Sequence, residues 1–141
     1  FGEFRLDEDP ETELVLVGGG VGVAPIRCLA YSVVNRWPER PCKMFFGCRT
    51  TDDLVCMEEW KKLEEEYPGF QSIFALSEPE KAPNWDGETG FIHLCVDKYL
   101  DSDRRKRQAF LCGPEPMINA TTEVLSEKGM KPSQWFYDEF F

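Results

Sequence analysis

The sequence contains a single histidine, His93, and none of its cysteines are spaced as a CxxC pair. A zinc site made of cysteine and histidine normally needs four such ligands, so we predict no metal site in this chain. Several cysteines lie inside apolar runs, where a free cysteine behaves as a small hydrophobic residue. We therefore expect reduced thiols rather than disulfides. The six cysteines are Cys28, Cys42, Cys48, Cys56, Cys95 and Cys112.

The sequence also lacks an apolar run near the ~20 residues that a membrane-spanning helix requires. Its N-terminus shows no secretory pattern, so we expect a soluble chain. Acidic residues outnumber basic ones by 26 to 16, which gives a net charge of −10. This charge repels a phosphate backbone, and nucleic acid is not an expected partner. The one basic run, residues 103–107, is interpreted as a solvated loop before a strand.

Strand patterns alternate with helix patterns from one end of the chain to the other. Such alternation is typical of a parallel sheet, because right-handed crossovers place helices on both of its faces. We therefore predict an α/β fold in three layers, with a parallel sheet of about five strands between helices. The strands are predicted at residues 13–17, 43–47, 70–76, 108–112 and 134–137, and the helices at 25–35, from Asp52 or Asp53 to Tyr67, at 92–100 and at 116–128.

The first chemical motif is the run GGGVGVAP at residues 18–25, between a predicted strand and a predicted helix. Glycines allow the backbone to approach a pyrophosphate, and the helix N-terminus offers free N–H groups and positive potential. The run departs from the GxGxxG fingerprint because Val23 occupies the last position. A tight structural turn without a ligand is the alternative.

The second motif is the run CGPEPM at residues 112–117, after the fourth predicted strand. A thiol at the end of a strand, followed by a Gly-Pro turn, leaves room for a flat ring beside it. The alternative is a buried cysteine before a helix-starting turn. No histidine or other base stands next to Cys112, so covalent catalysis is not expected.

Two further segments have features of a nucleotide site. In the run LSEP at residues 76–79, Glu78 is suited to accept hydrogen bonds from a ribose and to repel a 2′-phosphate, which favours NADH over NADPH. A solvated acid in a turn is the alternative. At the C-terminus, the pair Phe140 and Phe141 is suited to contact a flavin or a partner domain.

Together these motifs resemble the ferredoxin–NADP reductase superfamily, in which one domain binds flavin and the next binds the nicotinamide nucleotide. Within it, residues 84–93 (NWDGETGFIH), residues 76–79 and the ending Asp138-Glu139-Phe140 are similar to the NADH-binding domain of the Na+-translocating NADH:quinone reductases. The resemblance covers essentially the whole chain. It implies the ferredoxin reductase-like nucleotide-binding fold.

The resemblance also implies the site residues. The pyrophosphate would lie on the glycine turn, the nicotinamide beside Cys112, and the flavin against the Asp138–Phe140 pair, although Phe141 follows where those reductases usually have glycine. The residues expected to bind the nucleotide are Gly19, Gly20, Gly22, Val23, Pro25, Arg49, Thr50, Ser77, Glu78, Gly113, Pro114 and Met117.

By the same resemblance, NADH would pass hydride to FAD, and a [2Fe–2S] domain of the parent protein would carry electrons onward to quinone. The parent would belong to a complex at the cytoplasmic face of the bacterial inner membrane. Residues 1–6 resemble the tail end of a flavin domain, and residues 7–141 the NAD-binding domain, so the chain is expected to be inactive without the flavin domain. The alternatives are an oxygenase reductase component and a nucleotide-sensing module.

Overall fold

The computed structural model describes residues 5–20, 23–54, 57–102 and 105–139. Over these residues the chain forms a parallel sheet of six strands in the order β4-β3-β2-β1-β5-β6. The strands are β1 Glu13–Gly19, β2 Cys42–Cys48, β3 Phe70–Leu76, β4 Glu88–Thr89, β5 Arg107–Gly113 and β6 Trp135–Glu139. The helices are α1 Val23–Arg36, α2 Met57–Glu66, α3 Ile92–Tyr99 and α4 Glu115–Glu127.

The central strand β1 shows why the molecule has three layers. Its side chains alternate between the two faces of the sheet. Leu14 and Leu16 pack in a core with residues of α1 and α2, whereas Val15 and Val17 pack with residues of α3 and α4. All four are fully buried, as expected for a strand covered on both faces. The predicted three-layer α/β fold is confirmed.

Two local features differ from the predicted elements. The strand β4, Glu88–Thr89, lies in a stretch predicted to be a loop. It pairs with Ala75 and Leu76, but its two residues are too few to give a periodic pattern in the sequence. A start of α2 at Asp52 or Asp53 is wrong. Thr50 caps a 3-10 turn over Thr51–Asp53, and extended Leu54 ends that turn before α2. None of the helices in the described ranges is long and apolar enough to cross a bilayer.

The end of the sheet at which the parallel strands begin, here called the N-terminal edge, carries buried charges. Glu13 is fully buried, and its carboxylate accepts hydrogen bonds from Lys43 and from Arg107, the latter at 2.7 Å. Arg107 is only 3% exposed and also pairs with Asp101, so its predicted place in a solvated loop is wrong. Burial alone would raise the pKa of Glu13, but the two hydrogen-bonded cations hold it below its ordinary value.

Candidate functional site

The opposite end of the sheet, here called the C-terminal edge, brings together motifs that are far apart in the sequence. In the strand register Gly18 lies beside Cys112, and Cys112 lies beside Asp138. Gly19 on the other side of β1 lies beside Gly47. The chain leaves β1 toward β2 while β5 occupies the other side, so this is a topological switch point. Such points are where ligands bind in open α/β sheets.

The glycine turn leads from β1 directly toward helix α1. Gly20 is exposed and has φ of 59°, a left-handed conformation that favours glycine. Helix α1 has no acidic residue in its first turn, so no carboxylate there offsets the positive end of the helix dipole. Val23 begins the helix, and Pro25 lies in its first turn, as predicted. The predicted site residue Gly22 lies outside the described residues.

Met117 explains why two of the glycines at this edge carry no side chain. A Cβ atom on Gly19 would lie 2.6 Å from Sδ of Met117, and one on Gly113 would lie 2.5 Å from its Cε. The thioether therefore packs over the ends of both β1 and β5, on the α3–α4 face of the sheet. Sequence reasoning took Met117 for a nucleotide contact and missed this packing, because nothing in the local pattern links residues 19 and 117.

Cys112 is the next-to-last residue of β5, and its side chain lies on the opposite face of the sheet, in the core beside α1 and α2. Its side chain is 3% exposed, and its thiol is free, like those of Cys28, Cys42, Cys48 and Cys95, the other cysteines in the described ranges. Burial raises the pKa of Cys112, and the neighbouring Asp138 carboxylate raises it further. Cys112 is therefore a neutral thiol near pH 7.

The loops after β2 and β3 form the other half of this edge. The N–H of Ser77 donates to the carbonyl of Cys48 at 3.0 Å, and that of Glu78 to the carbonyl of Arg49 at 2.9 Å. Thr50 uses its hydroxyl to cap the adjoining 3-10 turn, accepting from the N–H of Asp52. The predicted residues Arg49, Thr50, Ser77 and Glu78 are thus neighbours, although α2 and β3 separate the first pair from the second in the sequence.

Glu78 is flanked by two cations rather than being a lone solvated acid. Lys81 lies 2.7 Å from its carboxylate and Arg49 lies 4.0 Å from it. The hydrogen bond from Lys81 lowers the pKa of Glu78, so the carboxylate is ionised near pH 7. The arrangement offers both an acceptor for hydroxyl groups and donors for phosphate oxygens.

Exposed apolar side chains also lie near this edge. Phe91 is 67% exposed and stacks on His93, and Leu94 is 53% exposed. They directly follow Gly90, whose N–H donates to the carbonyl of Leu76 at the end of β3. The sequence predicts no site role for Phe91 beyond its place in the run at residues 84–93. An aromatic residue in a polar loop, just before a helix, was the signal that it is exposed.

The final strand β6 is longer than predicted and brings Asp138 to the C-terminal edge. Phe136 stacks on Phe110 with ring centroids 5.6 Å apart, and Trp135 packs against the α3–α4 core. Tyr137 is in the strand but 51% exposed. Phe140 and Phe141, which sequence reasoning assigned to a flavin contact, lie outside the described residues.

Comparison with known proteins agrees with this geometry. A family model described as "Oxidoreductase NAD-binding domain" matches residues 16–123. A subunit of the Na+-translocating NADH-quinone reductase of Marinomonas sp. is 35% identical over 99% of this chain and 35% of that protein. The electron transfer component of a xylene/toluene monooxygenase from Pseudomonas putida is 34% identical over 100% of this chain and 40% of that protein.

A solved structure also has the same fold. The cytochrome P450 reductase GcoB from Amycolatopsis superposes with a TM-score of 0.85 at 29% identity, over 99% of this chain and 42% of that one. The chain therefore spans 35% to 42% of the length of these relatives, and each of them is a longer protein.

Proposed function

The chain belongs to the oxidoreductase NAD-binding domain family of the ferredoxin reductase superfamily, and on that premise we propose that it holds NADH across the C-terminal edge of its sheet. The nicotinamide would then pass hydride to an FAD held by a separate flavin domain of the same parent chain. The observation that carries this proposal is the strand register, which sets Gly18, Cys112 and Asp138 side by side at the switch point.

The residues at this edge fit a dinucleotide in three places. The Gly18–Gly20 turn and the start of α1 provide backbone and positive potential for the pyrophosphate, with Gly22, Val23 and Pro25 in the same segment. The Gly113–Pro114 turn, next to the buried thiol of Cys112, provides a small uncharged surface for the nicotinamide. Arg49, Thr50, Ser77 and Glu78 provide polar groups for the adenosine ribose, and exposed Phe91 adds an apolar surface nearby.

NADH supplies a hydride and flavin accepts it, so the chemistry belongs to the two ring systems. The part of this chain is to position one of them. Cys112 contributes a neutral thiol that adds no charge beside a ring that becomes cationic on losing hydride. Met117 contributes indirectly, because it holds the glycine ends of β1 and β5 in place. Asp138 and Phe140 would complete the site from the flavin side.

We further infer a preference for NADH over NADPH. The Glu78 carboxylate would accept hydrogen bonds from the ribose hydroxyls, and its charge would oppose a 2′-phosphate. Arg49 and Lys81 weaken the repulsion between Glu78 and a 2′-phosphate, because both cations lie beside Glu78 and could pair with the phosphate. The preference therefore depends on Glu78 more than on any other residue described at this edge.

The parent protein is proposed to be a Na+-translocating NADH:quinone reductase, with a [2Fe–2S] domain between FAD and the quinone, in a complex at the cytoplasmic face of the bacterial membrane. The resemblance of residues 76–79 and 84–93 to these reductases supports this assignment. A reductase component of an oxygenase is the second candidate, because the xylene/toluene monooxygenase component is 34% identical over the whole chain. A non-catalytic nucleotide sensor would not need Cys112 or the aromatic C-terminus.

The test is a calorimetric titration of this chain with NADH, NADPH and FAD, in parallel with Glu78→Gln. We expect NADH to bind, NADPH to bind more weakly, and FAD not to bind. In Glu78→Gln the two nucleotides should become nearly equal, whereas the control Glu80→Gln, at an exposed acid of the same loop, should leave the preference unchanged. Equal binding by the unaltered chain would contradict the role of Glu78.

A failure of NADH to bind this chain would contradict the proposed site, provided that the same chain with its flavin domain attached also fails to bind. Measurements on the complete reductase distinguish the quinone reductase from the oxygenase reductase component. Rapid reduction of a quinone analogue supports the quinone reductase, and reduction confined to a ferredoxin or an oxygenase supports the alternative.

A further inference from the structure

A cavity lies at the N-terminal edge of the sheet, away from the proposed nucleotide site. Its volume is about 850 Å³, and it is bounded by the end of α1, the loop that leads to β2, and the segments before β1 and β5. Three arginines, one tryptophan and three prolines contribute to its wall: Arg36, Arg40, Arg105, Trp37, Pro10, Pro38 and Pro41.

Arg40 is the unusual member of this group. It is 3% exposed, and its Nε donates to the carbonyl of Thr12 at 3.0 Å. Both of its Nη atoms are buried without a hydrogen-bond partner. No carboxylate in the described ranges lies within ion-pair distance of it, and Asp7 and Asp9 act on it only from farther away. A buried guanidinium that lacks a counter-charge and leaves both Nη groups unsatisfied is costly, so this site favours an added anion.

The other two arginines of the cavity differ because their charges are matched. Arg36 pairs with Glu8 at 2.8 Å, and Arg105 pairs with Glu13 and with Asp101. The unmatched charge is therefore specific to Arg40. Its two Nη atoms belong to one planar fork, which is the geometry that binds the two oxygens of a carboxylate.

Trp37 covers this guanidinium and gives the cavity an apolar surface. The guanidinium carbons of Arg36 and Arg40 lie 4.4 and 4.2 Å from the centroid of its ring. Because the Nη atoms of Arg40 are buried, a ligand carboxylate would pair with them only after a local side-chain movement. The Trp37 ring and the prolines of the wall provide an apolar surface next to the charge.

The remaining wall residues restrict the charge of the ligand. Glu11 and Glu39 line the same cavity and add two negative charges to its wall. Two acids beside one unmatched cation disfavour a dianion such as phosphate and tolerate a single negative charge. The apolar surface favours a ligand with a planar hydrocarbon body.

We propose that this cavity binds an organic monocarboxylate with a planar apolar body, whose carboxylate pairs with Arg40 and whose body packs on Trp37. The site is independent of the proposed nucleotide site, because it lies at the other end of the sheet. It gives the domain a place at which a small acid binds without competing with NADH.

The test is an NMR titration of this chain with benzoate, acetate and phosphate at constant ionic strength, observing the Trp37 indole and Arg40 Nε–H signals. Benzoate should shift both signals saturably, and acetate and phosphate should bind more weakly. Arg40→Met should weaken benzoate binding at least about tenfold, because it removes a charge-assisted bidentate contact. The control Arg27→Met removes an arginine of α1 that lies outside the cavity and should leave binding unchanged.

Three results would overturn the proposal. One is the absence of saturable shifts at Trp37 and Arg40, and another is phosphate or acetate binding as tightly as benzoate. The third is a folded Arg40→Met variant that binds benzoate as the unaltered chain does. If that variant does not fold, the unaltered chain provides the test. Benzoate shifts centred on Trp37 and Arg40 support the proposal, and shifts centred elsewhere contradict it. Failure of NADH to bind at the other edge would leave this result unaffected.

Discussion

The two edges of one sheet differ in the residues that strand ends place there. At the C-terminal edge β1 ends in Gly19, and β5 ends in Gly113 directly after Cys112. At the N-terminal edge the strands begin with Glu13 and Arg107, which are buried and paired with each other at 2.7 Å. At one edge the central strands end in small residues, and at the other they begin with paired, buried charges.

This contrast indicates a division of labour within the fold. Removal of one partner from a buried ion pair strongly destabilises a protein. The N-terminal edge therefore controls whether the sheet forms. Small residues at strand ends contribute little packing energy but allow a ligand close to the backbone, so the C-terminal edge controls what binds. Substitutions at the two edges should therefore separate stability from nucleotide binding.

The largest effect is expected for Glu13→Gln. The substitution removes the carboxylate with which Lys43, Arg105 and Arg107 all pair, so the free energy of unfolding should fall by about 3–5 kcal/mol. Urea denaturation measures it. The molecules that remain folded should still bind NADH with nearly unchanged affinity. A small loss of stability, or a specific loss of NADH affinity, would contradict the division between the edges.

The same ion pairs should give the stability a defined pH dependence. The pKa of Glu13 is lower in the folded chain than in the unfolded chain, so its contribution is complete above about pH 4.3. It is lost as the pH falls through the folded-state pKa. The gap in unfolding free energy between the unaltered chain and Glu13→Gln should therefore shrink as the pH falls below about 4.3 and toward the lower folded-state pKa. A gap that stays constant over this range would contradict the assignment.

One substitution, glycine to alanine, compares the two edges directly. A Cβ on Gly69 would lie 2.4 Å from the carbonyl oxygen of Arg40, which is backbone and cannot move aside, whereas on Gly19 it meets the flexible end of Met117. We expect Gly69→Ala to cost about 3 kcal/mol and Gly19→Ala about 1 kcal/mol. In a calorimetric titration with NADH, Gly19→Ala should lose more affinity than Gly69→Ala. Equal stability losses would mean that Met117 is as rigid as the backbone.

Sequence patterns predicted the main strands because each contains several apolar residues in a row, and β1 is apolar and buried on both faces. They could not predict Arg107, since the partner that buries it, Glu13, is 94 residues away. They also missed the packing of Met117 on Gly19 and Gly113, which depends on strand register. The switch point followed from the alternation of elements, but which side chains meet there depends on three-dimensional neighbours that no local pattern contains.

Alanine substitutions at two matched cysteines should have a small effect on stability. They should also give the clearest difference in function between the two edges. Cys42 begins β2 and Cys112 lies one residue before the end of β5, and both are buried in the same core layer, at 1% and 3% exposure. Burial raises the pKa of Cys42 to about 12 and also raises that of Cys112, so both are neutral thiols. Replacement of either by alanine should cost roughly 1 kcal/mol, because one buried atom is removed.

Their effects on hydride transfer should differ. In a reductase that carries the flavin domain, Cys112→Ala should slow reduction of flavin by NADH about tenfold or more, with little change in NADH affinity, because the nicotinamide loses the surface that orients it. Cys42→Ala should change neither quantity. Stopped-flow measurement of flavin reduction gives both. If Cys112→Ala reduces affinity and rate equally, the thiol binds the nucleotide but does not position it, and if Cys42→Ala slows the reaction as much, the effect arises from the core layer and not from the edge.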